Sequence, residues 1–328
     1  MSGALLSVDR LDVFFGAYGT QVQALHGVSF DVAPGEVVGL VGESGSGKTV
    51  TSLALMGLLD PRTARVQGEA RLHGEPLWDA TGRLRPHAEV PMAMVFQEPM
   101  TALDPVFRIG HQLVETLRRR QGLNRRQATA RAAELLDQVG IPDPRARLRA
   151  YPHELSGGMR QRVVIALALA CSPRLLIADE PTTAVDATIQ AQLLELITGL
   201  ARDEGMGVVF VTHDLGVVAQ MCHRMITMYA GRVIESGAVG EVLARPLHPY
   251  TSGLLAALPD PRHRGGRLPT IPGAVPAPGR TAEGCVFAER CAHTRPACGA
   301  TPELRPVTGG REVRCARAED LQLAGSGS

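Results

Sequence analysis

The sequence predicts an α/β protein with a mostly parallel sheet, a helical insertion and an irregular C-terminal extension. Short apolar runs alternate with stretches of helical pattern, which is typical of a parallel sheet covered by helices on both faces. After about Val242, Pro and Gly become frequent, and this favours loops and turns over a packed sheet. We therefore expect a main domain over residues 1–242 with a helical part at about 99–165, an extension over 243–324, and an artificial linker over 325–328.

Length, charge and hydropathy narrow the class of protein. The 328 residues suffice for one large domain or two modest ones. A net charge of +1 argues against a dedicated nucleic-acid-binding protein, so we expect no nucleic-acid partner. No apolar run reaches the ~18 residues of a membrane-spanning helix, and the first residues lack the pattern of a secretory signal. We expect a protein of the cytosol, or one on the cytosolic side of a membrane complex.

The first predicted strand, Val37–Val41, is followed by a Gly-rich loop and a helical stretch, Thr49–Leu59. The loop fits the pattern G-x-x-x-x-G-K-[ST], in which glycines let backbone N–H groups surround phosphate oxygens. The helix directs its positive end at the same anion. Lys48 is predicted to hold the β- and γ-phosphates of ATP, and Thr49 to bind Mg²⁺. The predicted nucleotide contacts of this loop are Gly42, Ser44, Gly45, Ser46, Gly47, Lys48 and Thr49.

A second predicted strand, Leu175–Ala178, ends in two carboxylates. Asp179 is placed to bind Mg²⁺ through its hydration shell. Glu180 is placed to polarise the attacking water as a general base. Many strands end in acidic residues, but this pair at this distance after a phosphate loop predicts ATP hydrolysis.

Two more polar residues follow apolar runs in the same way. His213 follows the predicted strand Val208–Thr212 and could contact the γ-phosphate. A lone histidine more often has a structural role, but the position of Thr212-His213-Asp214 at a strand end reverses that preference here. Gln97 follows the run Ala93–Phe96 and is a candidate for sensing both Mg²⁺ and the attacking water. A fourth strand is expected at Met225–Met228.

A second anion-binding element lies between these strands, where the sequence LSGGMRQR opens a helix. Ser156 is a natural N-cap, and the two glycines after it expose free N–H groups. One chain thus has two phosphate-facing elements but only one phosphate loop. The economical interpretation is that this element serves a nucleotide held by another subunit. Its candidate contacts are Ser156, Gly157, Gly158 and Gln161.

In this order, from about Leu6 to Val242, the motifs resemble those of the ATP-binding-cassette (ABC) ATPases. The resemblance implies a P-loop NTPase domain of RecA-like fold with a helical subdomain. It also implies a head-to-tail dimer with two ATP molecules, each between one subunit's phosphate loop and the other subunit's LSGG segment. Asp186, in the segment Ala184-Val185-Asp186, would then lie in a loop that crosses the dimer interface.

An aromatic side chain near the N-terminus stacks on adenine in the family that this chain resembles. By position we predict Phe15, with Phe14 and Tyr18 as alternatives. A place for Phe15 in the core is an equally good interpretation.

Four of the six cysteines lie in the Pro-rich extension, with the spacing C-x5-C-x6-C-x16-C. Four thiolates suit a [4Fe–4S] cluster or a tetrahedral Zn²⁺ ion, and unligated thiols are the third possibility. The spacings are wider than the C-x-x-C pairs of structural zinc sites, which favours the cluster. The candidate ligands are Cys285, Cys291, Cys298 and Cys315.

The segment RPLHPYT, which begins at Arg245, and the four-cysteine extension resemble the oligopeptide and dipeptide importers among the ABC ATPases. The resemblance implies a [4Fe–4S] cluster with a structural role, and a site on the cytoplasmic face of the inner membrane. It implies four partners: a second, distinct ATPase subunit, two transmembrane permease subunits and an extracytoplasmic peptide-binding protein.

The function implied is ATP hydrolysis that powers the import of di- or oligopeptides. Nickel or another small solute is the alternative cargo, because close relatives handle nickel. A soluble cassette ATPase acting on nucleic acid or the ribosome is a more remote alternative. A redox-sensing extension that gates transport is a third hypothesis.

Overall fold

A computed structural model describes residues 3–16, 21–79, 83–85, 90–96, 102–181, 187–258, 269–279 and 284–326 of the protein. The chain divides into two compact units, each made of several segments. The first unit comprises Met1–Leu6, Val32–Glu36 and Arg71–Phe210. The second unit comprises Ser7–Asp31, Val37–Ala70 and Val211–Ser328.

Strands and helices alternate along most of the described chain. The strands are β1 (Leu6–Phe15), β2 (Val22–Val32), β3 (Val37–Val41), β4 (Ala64–Leu72), β5 (Glu75–Pro76), β6 (Met92–Val95), β7 (Leu175–Asp179), β8 (Gly207–Thr212), β9 (Arg224–Tyr229), β10 (Arg232–Ala238), β11 (Arg305–Val307) and β12 (Arg311–Val313). The helices are α1 (Lys48–Leu55), α2 (Ile109–Gln121), α3 (Arg125–Gln138), α4 (Pro144–Arg147), α5 (Gly157–Leu169), α6 (Ala187–Glu204), α7 (Leu215–Met221), α8 (Val239–Ala244) and α9 (Pro249–Ala256). Within the described ranges, 3-10 turns lie at Pro152–Glu154, Ala288–Arg290 and Pro296–Gly299.

The first unit contains a parallel strand pair and most of the helices. Strand β7 pairs in parallel with β6, and all five residues of β7 are buried. Continuous burial explains why this strand is an unbroken apolar run rather than an alternating one. The stretch expected to be helical holds helices α2 to α5. A capping box begins α3, because the Asn124 side chain accepts from the Gln127 N–H and the Gln127 side chain accepts from the Asn124 N–H.

The second unit has its core around β3, β9 and β10. Strand β3 is wholly buried and pairs in parallel with β9, and β10 pairs antiparallel with β9. Strands β2, β1 and β4 lie side by side in a separate sheet, which the sequence analysis did not predict. Helices α7, α8 and α9 supply apolar side chains to a core cluster with these strands. The buried members of that cluster are Val41, Leu215, Val218, Met225, Val239, Val242 and Leu255.

The expectation of loops and turns in the extension is wrong in two parts, which are helix α9 and a pair of strands. Strands β11 and β12 form an antiparallel hairpin, and β12 pairs antiparallel with β10. Gly309 and Gly310 make the turn, with φ of 81° and 69°, values that residues with a Cβ rarely adopt. The Gly-rich composition correctly indicates the turn. It gives no sign of the three-residue strands on either side of that turn.

A buried ion pair fastens this hairpin to the unit. Arg311 on β12 donates to Glu235 on β10 at 2.6 Å, and the Glu235 side chain is 0% exposed. Glu235 also accepts the backbone N–H groups of Leu247 and His248 at 2.8 and 3.0 Å. Burial raises the pKa of Glu235, and the Leu247 N–H and the Arg311 guanidinium act against that rise. These bonds tie the extension to β10 and to the start of α9.

Candidate functional site

The phosphate loop joins β3 to α1 in the second unit, as the sequence predicts. Two of its glycines are required by the backbone. Gly42 has φ 151°, and a Cβ there would lie 2.4 Å from the Met228 carbonyl oxygen. Gly47 has φ 106°, and a Cβ there would lie 2.8 Å from a methyl group of Leu25. The loop therefore passes β9 and β2 too closely for any larger residue at either position.

The side chains of the loop divide into an exposed and a buried set. Ser44, Gly45 and Thr49 are exposed, whereas Ser46 and Lys48 are buried. The Lys48 ammonium donates to the carbonyl oxygens of Gly42 and Glu43 at 2.7 and 3.0 Å. Among the described residues the Ser46 hydroxyl has no hydrogen-bond partner. A buried hydroxyl of this kind suits a loop that receives the oxygens of a ligand.

The two predicted acidic residues lie at the carboxyl end of β7 in the first unit. Asp179 is the last residue of the strand and is 5% exposed. Glu180 is half-buried and has φ 46°, in the left-handed region that a glutamate seldom occupies. Strain of this kind costs about 1–3 kcal/mol and is concentrated at functional sites. The backbone therefore turns sharply where the general base is predicted.

The LSGG segment opens α5 in the first unit. Ser156 is the N-cap and its side chain accepts from the Met159 N–H at 3.3 Å. Ser156 and Gly157 are exposed, and a Cβ on Gly157 would meet nothing within 4 Å. A Cβ on Gly158 would instead lie 3.0 Å from Ile189 on α6. Gln161 is buried. The start of this helix is thus open to a ligand at Ser156 and Gly157.

The remaining predicted site residues are dispersed. His213 follows β8 and is exposed, and Asp214 after it caps α7 by accepting two backbone N–H groups. Phe15 ends β1 and is half-buried. Gln97 and Asp186 lie outside the described residues.

The sequence contains no sign of the contacts that join three residues, one in the phosphate loop and two beside it. Glu43 occupies a variable position of the loop motif, yet its carboxylate is paired with Arg290 and its N–H donates to Tyr250. Tyr250 lies in the RPLHPYT segment, and Arg290 immediately precedes Cys291. Both were within segments singled out by the sequence, but no spacing rule connects them to a residue more than 200 positions earlier.

The four cysteines of the extension line a single small, mostly apolar pocket. The thiols of Cys291 and Cys315 accept backbone N–H groups from His293 and Arg317, both at 3.4 Å. Burial raises the pKa of Cys315 to about 11. All six cysteines are free of disulfides. Across the described ranges, no group of three or more His, Cys, Asp or Glu side chains is arranged to hold a single metal ion.

Comparisons with known proteins agree with the motifs. The family model described as ABC transporter matches residues 25–183, and the one described as oligopeptide/dipeptide transporter, C-terminal region, matches residues 234–298. The dipeptide transport ATP-binding protein DppD of Escherichia coli is 47% identical over 316 residues, covering 95% of this chain and 96% of that protein.

Solved structures give the same result for the fold. The structure of cbiO1 from Clostridium perfringens, part of the ABC transporter complex cbiONQ, matches with a TM-score of 0.62 and 26% identity. It covers 74% of this chain and 91% of its own. A dimeric ATP-binding cassette in a post-hydrolysis state with ADP and Pi matches with a TM-score of 0.60 and 28% identity, covering 71% of this chain and 98% of its own.

An α/β fold with a phosphate loop, an acidic strand end and an LSGG helix defines an ABC nucleotide-binding domain. This chain belongs to the ABC transporter family, as an ATPase subunit of the oligopeptide/dipeptide type with the C-terminal extension of that group. The comparisons confirm the predicted family, the α/β fold of an ABC nucleotide-binding domain and the ATPase activity. In the described part of the chain, no helix is long and apolar enough to span a bilayer.

Proposed function

We propose that this chain hydrolyses Mg²⁺–ATP to power the import of di- or oligopeptides across the cytoplasmic membrane. The observation that carries the proposal is the joint presence of a complete phosphate loop and a C-terminal region of the oligopeptide/dipeptide transporter type. The similarity to the dipeptide transport ATP-binding protein DppD of Escherichia coli supports a peptide cargo.

The predicted site residues fit distinct roles in phosphoryl transfer. ATP supplies the phosphoryl group that is transferred, and Mg²⁺ supplies positive charge that neutralises the phosphate oxygens. Lys48 is suited to exchange its two carbonyl contacts for phosphate oxygens, and the exposed hydroxyl of Thr49 is free to face Mg²⁺. Asp179 would orient the hydration shell of the ion. Glu180 would take the proton of the attacking water.

Other predicted residues fit supporting roles at the same reaction. His213 is exposed after β8 and would contact the γ-phosphate, while Gln97 would sense Mg²⁺ and water. Phe15 would stack on adenine, with Phe14 and Tyr18 as alternatives.

We propose further that the nucleotide site is completed by a second ATPase subunit. Ser156 and Gly157 offer an open helix start with free N–H groups, which suits an anion brought by another molecule. Gly158 and Gln161 would support that helix start, and Asp186 would lie at the interface. The other partners are two permease subunits and an extracytoplasmic peptide-binding protein, with this chain peripheral at the cytoplasmic face.

For the extension we propose a [4Fe–4S] cluster with a structural role. Its four thiols line one pocket, and N–H bonds to two of them resemble the hydrogen bonds that tune cluster sulfurs. Zn²⁺ held by the same four thiolates is the alternative. The sequence spacings between the cysteines, which are wider than C-x-x-C, favour the cluster.

The domain boundaries that we propose are those that the sequence predicts. The catalytic domain would cover 1–242, with its helical subdomain at about 99–165, and the extension 243–324. Residues 325–328 are the proposed linker, although the Ser326 N–H donates to the Leu243 carbonyl at 2.8 Å.

Uptake into lipid vesicles tests the cargo. The chain is assembled with the permeases, the second ATPase and the binding protein encoded beside it, and uptake of labelled di- and oligopeptides is measured with internal ATP. ATP-dependent peptide uptake is expected. Uptake of nickel chelates but not of peptides would contradict the peptide assignment.

Metal analysis of the purified chain tests the cluster. Iron and acid-labile sulfide are each expected at about four per chain, and zinc without sulfide would overturn the cluster.

A further inference from the structure

The second residue of the phosphate loop is held by the C-terminal extension through its side chain. Arg290 donates to both carboxylate oxygens of Glu43, at 2.8 and 3.0 Å. Paired N–H···O bonds of this kind fix orientation as well as distance. The Arg290 side chain is 6% exposed and that of Glu43 is 32% exposed, so water screens this pair only in part.

Arg290 itself is rigidly placed. Its guanidinium donates to the carbonyl oxygens of Pro272, Ile271 and Gly273, at 2.7, 3.3 and 3.4 Å. The guanidinium also lies over the ring of Tyr229, 5.7 Å from the centroid. Because the Arg290 side chain has this many fixed partners, it holds the Glu43 carboxylate in place. A mobile surface arginine would instead move together with Glu43.

The backbone of Glu43 is held by a second residue. Its N–H donates to the Tyr250 hydroxyl at 2.8 Å. Tyr250 is fully buried, and its ring packs at the edge of Tyr229 and Phe287, with centroids 4.8 and 5.4 Å away. The backbone N–H of Glu43 is therefore bonded to a buried side chain. This bond fixes the backbone at the start of the phosphate loop.

These contacts reach the lysine that is to bind phosphate. The two carbonyl oxygens that accept from Lys48 belong to Gly42 and Glu43. The Gly42 carbonyl is in the same peptide group as the anchored N–H, and the Glu43 carbonyl is in the next peptide group. A rotation of the Glu43 backbone would move those carbonyls and shift where Lys48 and the later N–H groups of the loop point.

We infer that Arg290 and Tyr250 are positioning residues of the nucleotide site, which hold Glu43 and thereby keep the phosphate loop in the conformation that receives ATP. They act through Glu43 and do not touch the nucleotide. The inference concerns the known ATPase activity and does not depend on the transported cargo or on what fills the cysteine pocket. A purely structural ion pair would instead lower stability and leave nucleotide affinity as it is.

The test is a double-mutant cycle in the full-length chain, with ATP affinity measured by calorimetry in the presence of Mg²⁺. The variants are Arg290→Met, Glu43→Gln and both together, with Arg290→Lys and Tyr250→Phe alongside. The matched control is Arg305→Met, which removes an exposed pair with Glu319 in the same extension. Circular dichroism and the melting temperature report folding in parallel.

Each single variant of the pair should raise the ATP dissociation constant about five- to tenfold, within the usual range for coupled sites. The double variant should be no worse than either single variant, because both remove the same support. Arg290→Lys should recover part of the affinity, since it keeps the charge but not the two-pronged contact. Tyr250→Phe should weaken binding, and Arg305→Met should not.

Two results would overturn the inference. One is an unchanged ATP dissociation constant in Glu43→Gln, a variant that leaves the extension intact even if Arg290→Met fails to fold. The other is a double variant whose loss is the product of the two single losses, since the residues would then act independently.

Discussion

Replacing Arg311 by Met should open the hairpin of β11 and β12 away from β10. The substitution keeps most of the side chain's volume but leaves the Glu235 carboxylate buried without its cation. Removing one partner of a buried pair costs 3–5 kcal/mol. Glu235 keeps the N–H groups of Leu247 and His248, so we expect the lower end, about 3 kcal/mol.

Amide hydrogen exchange measures this loss locally, which avoids treating the two units as one folding transition. A loss of about 3 kcal/mol corresponds to exchange more than 100-fold faster in β10 and β12. Adding Glu235→Gln to Arg311→Met removes the buried charge and should recover most of the protection. Exchange within fivefold of the unmodified chain would refute the reasoning, as would a double variant no better than the single one.

Three further predictions follow from particular residues. Burial lowers the pKa of His248 from 6.5 to about 3, so the unfolded chain binds a proton that the folded chain does not. This histidine alone should lower the stability of its unit by about 2 kcal/mol between pH 7 and pH 5. His248→Asn can still accept the Tyr250 N–H as an N-cap, and an equal pH dependence of the opening free energy from amide exchange in α9 would contradict the assignment. Asn124→Ala removes the capping box of α3 and should lower the opening free energy from amide exchange in that helix by about 1 kcal/mol, whereas Asn124→Asp should lower it little. Cys291→Ser should abolish bound iron, while Cys171→Ser should not; full iron content in Cys291→Ser would exclude that cysteine as a ligand.

Local patterns were enough to predict the buried strands and the motifs at their ends. The predicted strand Val37–Val41 has the bounds found for β3, and Leu175–Ala178 differs from β7 by one residue. A strand buried on both faces must be apolar throughout, so its limits are visible in composition alone. The phosphate loop was equally clear, because its glycines are dictated by close backbone contacts.

Features that depend on distant pairing could not be predicted in this way. Strand β12 is three residues long and is stabilised by β10, more than 70 positions earlier. The anchoring of Glu43 by Arg290 joins residues 247 positions apart. Neither has a periodic signal, because a short strand or a single ion pair leaves no repeating pattern in the sequence.

The most direct test of the central claim is ATP hydrolysis by the assembled transporter in lipid, with and without binding protein loaded with short peptides. We predict that loaded binding protein stimulates hydrolysis, and that Glu180→Gln in this chain abolishes the stimulation while ATP binding persists. Stimulated hydrolysis that survives Glu180→Gln would contradict the account, since catalysis would then not reside in this subunit.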